Sequence, residues 1–238
     1  VRLPVNAGEG AARNAGLAQA SGDAIAWLDA DDYWSPNHTE VLVSLIQRFP
    51  QASVACAAVE MFGLRTGCNT GYAPTDQPRN LFWTAAIDWL HPIIGCLMRR
   101  DALASIGGFC TLRRSSVDYD MWLRLSRHHL FIATREVTSH WRWHSQQQSQ
   151  DYGPQIQAVY FFRRRYLDEE LVPKFPEDVE RFGALMRSSW KKDFDRALKA
   201  RSLAVCQAIL DVSGLVPNLE PSAVDACRTA LQSKQGAV

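Results

Sequence analysis

The sequence predicts an α/β domain followed by a helical appendage, and three observations carry that reading. Short apolar runs rich in β-forming residues, such as Ile25-Ala26-Trp27-Leu28, alternate with segments whose apolar residues recur at helical spacing. Carboxylates collect at the end of that run, at Asp29, Asp31 and Asp32, where open α/β sheets bind their ligands. After Gly153-Pro154 the strand signals stop and long helical patterns take over. The division falls between an α/β part, residues 1–153, and a helical part, residues 154–238.

Composition bounds the answer. A chain of 238 residues with 47% hydrophobic content can bury the core of one domain plus an appendage. Its 26 basic and 25 acidic residues nearly cancel, so no global field marks a nucleic-acid binder. The six cysteines, at 56, 68, 96, 110, 206 and 227, show no C-x-x-C and no zinc-like pairing with histidine, and read as reduced packing thiols. No apolar run approaches the ~18 to 20 residues of a membrane span, and the first residues are not a signal peptide. A cytoplasmic location follows as the expectation, with peripheral contact at the inner face of a membrane as its extension.

In chain order, Val1 to Val5 reads as a strand already in progress and Asn6 to Gly10 as a turn. Ala11 to Ala20 is a small-residue helix carrying Arg13 and Asn14. After the acids, Ser35-Pro36 is expected to open a helix, as cap and first helical position. That helix has an apolar face of Val41, Leu42, Leu45, Ile46 and Phe49, and it stops at Pro50. Ala52 to Phe62 is a strand, Gly63 to Asn80 a long loop, Ile93 to Met98 a strand and Arg100 to Ile106 a short helix with a sharp exit at Gly107-Gly108. Ser116 is the expected cap of a helix whose face includes Met121, Trp122 and Leu125, and Phe131 to Trp143 is a strand. The appendage reads as helices over Gln155 to Leu171, Glu177 to Val212 and Pro221 to Gln232. Its run Arg163-Arg164-Arg165 is suited to acidic lipid or a phosphorylated acceptor, or simply to a solvated helix face.

The acidic cluster carries the chemistry. Neighbouring carboxylates repel unless protons or a cation neutralise them, and a hard divalent ion such as Mg2+ or Mn2+ prefers oxygen ligands while leaving positions open for phosphate oxygens. A calcium loop starting at Asp29 is excluded, because Tyr33 and Trp34 stand where an oxygen ligand and glycine are needed. An aspartate-nucleophile phosphatase would want Thr or Val at Tyr33. An acidic helix cap needs only Asp32.

Taken together, the pieces resemble the family 2 inverting glycosyltransferases with the GT-A fold. The residues that carry the resemblance are Asn6-x-Gly8, Ala12-Arg13-Asn14-x-Gly16-Leu17, Ala20-x-Gly22-Asp23, Leu28-Asp29-Ala30-Asp31-Asp32-x-Trp34-x-Pro36, Arg100-Asp101-Ala102-Leu103, Gly107-Gly108-Phe109, Asp118 to Leu125, and Arg142-x-His144. Each is weak alone, and their order from Asn6 to His144 makes the set specific. The resemblance implies a partial GT-A fold, a Rossmann-like mixed sheet with flanking helices, lacking the N-terminal part of the domain, where full members carry the aspartates that recognise the base. Cys110-Thr111-Leu112-Arg113-Arg114 also replaces a usually more acidic stretch.

The resemblance further implies a metal-dependent transfer of a sugar from a nucleotide-diphosphate donor to a hydroxyl of a glycan, lipid-linked or other acceptor, with inversion. The setting would be synthesis of surface polysaccharide, glycolipid or another glycoconjugate, with Mn2+ or Mg2+ as cofactor and no nucleic-acid partner. On that basis Asp31 ligates the metal, Asp29 supports the nucleotide ribose or the metal, and His144 is a further candidate ligand. Arg13 holds the nucleotide side, Asp118 is the general base, and Arg142 and His144 lie on a loop able to close over the diphosphate. The residues alone leave other readings open. Arg13 could pair with a strand-end carboxylate, Asp118 could be a helix-start charge with Asp120 equally placed, and the helix dipole would lower the basicity of either. Trp141 and Trp143 could stack on sugar rings or pack. The competing functions are a truncated, non-catalytic module that binds glycan or protein, and a metal-dependent phosphoesterase using Asp29 and Asp31.

Overall fold

The computed structural model describes residues 2–69, 76–147 and 150–235. Contacts divide the chain into two compact units, Val1–Gln147 and Gln148–Val238. In the first, six strands form one sheet: β1 (Ala24–Ala26), β2 (Tyr33–Trp34), β3 (Ala52–Gly63), β4 (Gly67–Asn69), β5 (Cys96–Arg99) and β6 (Leu130–Trp143). Their order is β1-β5-β3-β6-β2, with β4 also on β3. The sheet is mixed, since β3 and β6 run parallel while the other pairs are antiparallel.

Central β3 is built from small and β-branched residues buried on both faces, Ala52 and Val54 to Val59. Such side chains let helices approach closely. Helix α2 (His38–Arg48) lays Leu42 and Ile46 onto Ala52, Ala55, Ala57, Leu97 and Ile132. The register between β3 and β6 shifts three times, and residues 134–136 of β6 stand opposite Ala57 alone. Extra residues of this kind bend a strand and increase its twist.

Helices α1 (Glu9–Gln19), α3 (Phe82–Ala85), α4 (Arg100–Ser105) and α5 (Val117–His128) complete the unit. Helix α4 ends as its glycines require. Gly107 takes φ +71°, its N–H bonds the carbonyl of Ala104, and the N–H of Gly108 bonds that of Leu103. This pattern satisfies two otherwise orphaned carbonyls.

Several expectations are corrected. Residues 2–8 form no strand, because Pro4 lacks a donor and Val5 stands in solvent. Ser35-Pro36 does not open α2; Ser35 donates its N–H to the Thr138 carbonyl and so continues the sheet edge, and the helix starts at His38 after Asn37. The stretch 63–80 is not all loop, since β4 pairs with Val59, Glu60 and Met61; residues 70–75 lie outside the described residues. Ile93–Gly95 is a 3-10 turn, leaving β5 only Cys96–Arg99. Ser116 sits in the left-handed region and makes no side-chain cap bond to α5.

The second unit is helical: α6 (Tyr152–Tyr166) runs through a π segment (Leu167–Leu171) into α7 (Val172–Lys174), followed by α8 (Val179–Lys199), α9 (Leu203–Asp211) and α10 (Pro221–Gln235). The single helix expected over Glu177 to Val212 is broken. Arg201 takes φ +57°, and Arg201 and Ser202 bond the carbonyls of Leu198 and Ala197, the same terminating pattern as at Gly107 but without glycine. The basic run of α6 has internal partners. Arg163 is buried over the Tyr160 ring, Arg164 bonds Asp168 at 2.7 Å and Arg165 bonds Glu169 at 2.8 Å. Among the described residues, no helix is long and apolar enough to cross a membrane.

Candidate active site

The acids follow β1 in a turn closed by the Asp32 N–H on the Asp29 carbonyl at 3.2 Å. Beyond the turn, β2 is stitched to the far edge of the sheet. Tyr33 pairs with His140 and stacks on its ring, and Ser35 Oγ, His140 and Glu60 lie in a chain with both contacts at 3.0 Å.

Arg13 reaches the first acid from α1. Its Nη2 donates to Asp29 Oδ1 at 3.1 Å, Nη1 lies 3.6 Å from Glu9, and the guanidinium sits over the Phe109 ring. Phe109 is itself fixed by Asn14, whose Oδ1 accepts from the Phe109 N–H while its Nδ2 donates to the Phe109 carbonyl, both at 2.8 Å. Two separated sequence motifs are thus one structural clip. Gly10 and Gly108 are needed there, because a Cβ would meet the Cys110 carbonyl oxygen at 2.4 Å or Asn14 Oδ1 at 2.6 Å.

Asp31 meets the residue that follows β6: its Oδ2 lies 3.0 Å from His144 Nε2, across 113 residues of sequence. The pair suits a hard divalent cation, because two ligands at ~2.1 Å and right angles in an octahedral shell stand about 3 Å apart. Both side chains are partly exposed and so accessible to an incoming ligand. Asp29 pairs with Arg13 through Oδ1 and forms no three-ligand group with Asp31 and His144; among the described residues such a group exists only at Cys56, His91 and Cys96. That group is buried in the core, with the two sulfurs 3.0 Å apart, and burial lowers His91 to a pKa of about 4. No spacing along the chain signals it, since Cys56 and Cys96 are brought together only by strand pairing.

Arg142 lies at the end of β6 rather than on a loop. Its backbone N–H donates to Asp32 Oδ1 at 2.8 Å, while its guanidinium rests over Phe62. Burial raises the pKa of Asp32 to about 7, opposed by the Arg142 N–H and assisted by the charges of Asp31 and Asp29.

Asp118 sits in the first turn of α5, accepting from Trp89 Nε1 at 2.8 Å on Oδ2 and from the Tyr119 N–H at 2.9 Å on Oδ1. Burial raises its pKa, against the pull of Arg13 and of both donors. Desolvation therefore outweighs the Arg13 charge and the hydrogen bonds that favour the carboxylate, and Asp118 is more basic than a free aspartate. Asp120 is not equivalent. It is buried and paired with Arg124, whose guanidinium also holds the carbonyls of Ile106 and Gly108, so it ties α5 to the end of α4.

Two further residues belong to the site, and the sequence reading missed both. Glu9 has its pKa raised to about 7, first by burial and further by Asp118 and Asp29, against Arg13. Its four-residue spacing from Arg13 was the available signal. Trp89, which holds Asp118, carried none.

Known proteins resemble this chain in sequence and in fold. The model of the glycosyl transferase family 2 matches residues 1–117, opening at the first residue of the chain. An uncharacterized glycosyltransferase of Haemophilus influenzae is 26% identical over 136 residues, 56% of this chain and 49% of that protein. The uncharacterized glycosyltransferase YwdF of Bacillus subtilis is 30% identical over 133 residues, 53% and 47% of the two chains. The chain thus spans about half the length of these curated relatives. Among solved structures, S. aureus TarS 1-349 in complex with UDP-GlcNAc superposes with a TM-score of 0.72 at 15% identity, covering 100% of this chain and 75% of that one. A further crystal structure of S. aureus TarS gives 0.65 at 17% identity, covering 98% of this chain and 42% of that one. The likeness identifies the mixed sheet with its flanking helices as a GT-A-type fold, and the first half of the chain, residues 1–117, carries the match to glycosyl transferase family 2.

Proposed function

We propose that this protein transfers a sugar from a nucleotide-diphosphate donor to an acceptor hydroxyl, with inversion and with a divalent metal, Mn2+ or Mg2+, in the assembly of a surface polysaccharide, glycolipid or other glycoconjugate. The observation that carries the reading is the approach of Asp31 and His144 to 3.0 Å beside the Arg13–Asp29 pair. The solved TarS complex with UDP-GlcNAc supports a nucleotide-sugar donor.

Asp31 and His144 would hold the metal, which supplies charge stabilisation for the departing diphosphate. Arg13, fixed by Asp29 and Phe109, supports the nucleotide side, with Asp29 available to the ribose through its second oxygen. Arg142 anchors Asp32 through its backbone, and its side chain is free to meet the donor by leaving Phe62. Asp118 takes the proton of the acceptor hydroxyl as that oxygen bonds the anomeric carbon and the carbon–diphosphate bond breaks. Trp89 Nε1 and the Tyr119 N–H fix the plane of the carboxylate that accepts the proton. Burial raises its basicity toward the pH at which it must act.

The test is a screen of the full-length protein against nucleotide sugars with Mn2+ and Mg2+, reading release of nucleoside diphosphate. Metal-dependent release that rises with an added acceptor is the expected result. Release of inorganic phosphate without a sugar product would replace this reading with a phosphoesterase.

A further inference from the structure

Three tryptophans form a row that starts at Asp118. Trp89, whose Nε1 holds the carboxylate, has its ring centre 6.0 Å from that of Trp141, and Trp141 lies 5.0 Å from Trp143. Ring planes inclined at 47° and 52° keep the rings from closing face to face, and one face of Trp143 carries the Arg65 guanidinium at 4.9 Å, leaving the other for a ligand. All three are only partly buried. The contrast with Trp122 and Trp190 is informative: those rings are fully buried and spend their Nε1 on the carbonyls of His91 and Ile209, as core tryptophans do.

The row is also aimed. Trp141 and Trp143 are two residues apart on β6, so they share one face of the strand. Between and after them, the Arg142 N–H holds Asp32 and His144 meets Asp31. One strand end therefore presents indoles on one face while its neighbouring groups reach the acids. The candidate base stands at the Trp89 end of the row, within reach of the Arg13 charge.

We propose that Trp89, Trp141 and Trp143 form the acceptor subsite, and that the acceptor is a carbohydrate presenting a pyranose ring to these indoles. The inference rests on the function proposed above and adds the acceptor class. A pyranose has faces of C–H groups ringed by hydroxyls. Stacked on an indole it buries its apolar face and turns its hydroxyls to the rim, where one can reach Asp118. A flexible lipid chain has no such flat face to match, and a peptide would require backbone partners that indole rings do not offer. Trp89 does two jobs: it fixes Asp118 and begins the platform that sets the acceptor over it.

The experiment titrates maltose, cellobiose, lactose and N,N′-diacetylchitobiose into the full-length protein without donor, to tens of millimolar, following indole fluorescence and heat. At least one should bind, and Trp141→Ala and Trp143→Ala should weaken it by about tenfold. Trp141→Phe, which keeps an aromatic face, should retain most of the binding and guards against a folding artefact. In the transfer assay Trp141→Ala should raise the acceptor KM more than it lowers kcat. No binding by any of the four sugars, or binding that survives both alanine substitutions, overturns the subsite. If no donor is ever turned over, the proposed function fails, whereas sugar binding measured without donor still reports on the row.

Discussion

Replacing Asn14 by alanine tests how the nucleotide side of the site is held. The amide makes two reciprocal bonds at 2.8 Å to the backbone of Phe109, whose side chain is buried. Each bond contributes ~1 kcal/mol net, and a buried backbone group left without its partner costs about 1–3 kcal/mol. Because the site is only partly buried, water recovers some of this, and Asn14→Ala should cost about 2–4 kcal/mol in all. The damage should travel, since Phe109 supports the Arg13 guanidinium on its face and meets Trp27 edge-on at 5.2 Å. Urea unfolding gives the free energy, and hydrogen exchange of the Phe109 amide locates it. Asn14→Asp should destabilise as well, because a carboxylate oxygen then faces the Phe109 carbonyl. A shift below about 0.5 kcal/mol, with Phe109 still protected, would refute the reasoning.

Asp118→Asn should lower turnover by about 10²-fold or more with donor affinity little changed, whereas Asp120→Asn should lose about 3 kcal/mol of stability through Arg124; kinetics and urea melts of both variants separate the roles, and a collapse of kcat in well-folded Asp120→Asn alone would exchange them. Asp31→Ala should abolish turnover and His144→Ala should raise the Mn2+ concentration needed for half-maximal rate; full activity of either in chelator would remove it from the metal site. Glu9 has a folded pKa of about 7 against 4.5 for the free group, so the folded state holds its proton more tightly and stability falls as pH rises from 4.5 to about 7. Glu9→Gln lacks that loss, so its Tm relative to the wild type should be higher at pH 8 than at pH 4; an equal difference at both would show that Glu9 titrates normally.

Local patterns made much of this site legible. The acids after an apolar run, the arginine on a small-residue helix and the aspartate opening α5 are each readable within a dozen residues, and the structure brings them together. What escaped was set by distant pairing. Strand β2 is two residues long and exists because His140 and Ser139 lie beside it, so Ser35-Pro36 looked like a helix start. Glu9 and Trp89 owe their importance to burial and to Asp118, which no spacing encodes. The basic run of α6 had the right charge for a surface patch, but acids one helical turn away, at Asp168 and Glu169, neutralise two of its members.

The strand order places β1 and β2 at opposite edges of the sheet, although only residues 27–32 separate them. Through the pairings, Ala26 is level with Ala55, and Tyr33 with Glu60. On a flat sheet the two would be about 25 Å apart, given four inter-strand spacings across and five residues along. Seven peptide steps reach at most about 25 Å when fully drawn out, yet this stretch also folds back where Asp32 bonds Asp29. A flat sheet is therefore impossible for this chain. The tether must pull the two edges toward each other, and the extra residues 134–136 of β6 give the sheet somewhere to bend. The acids ride on a short cord strung across the mouth of the curl it enforces, and the turn between Asp29 and Asp32 is all its slack, so deleting a residue between Leu28 and Tyr33 would open that turn and displace the acids.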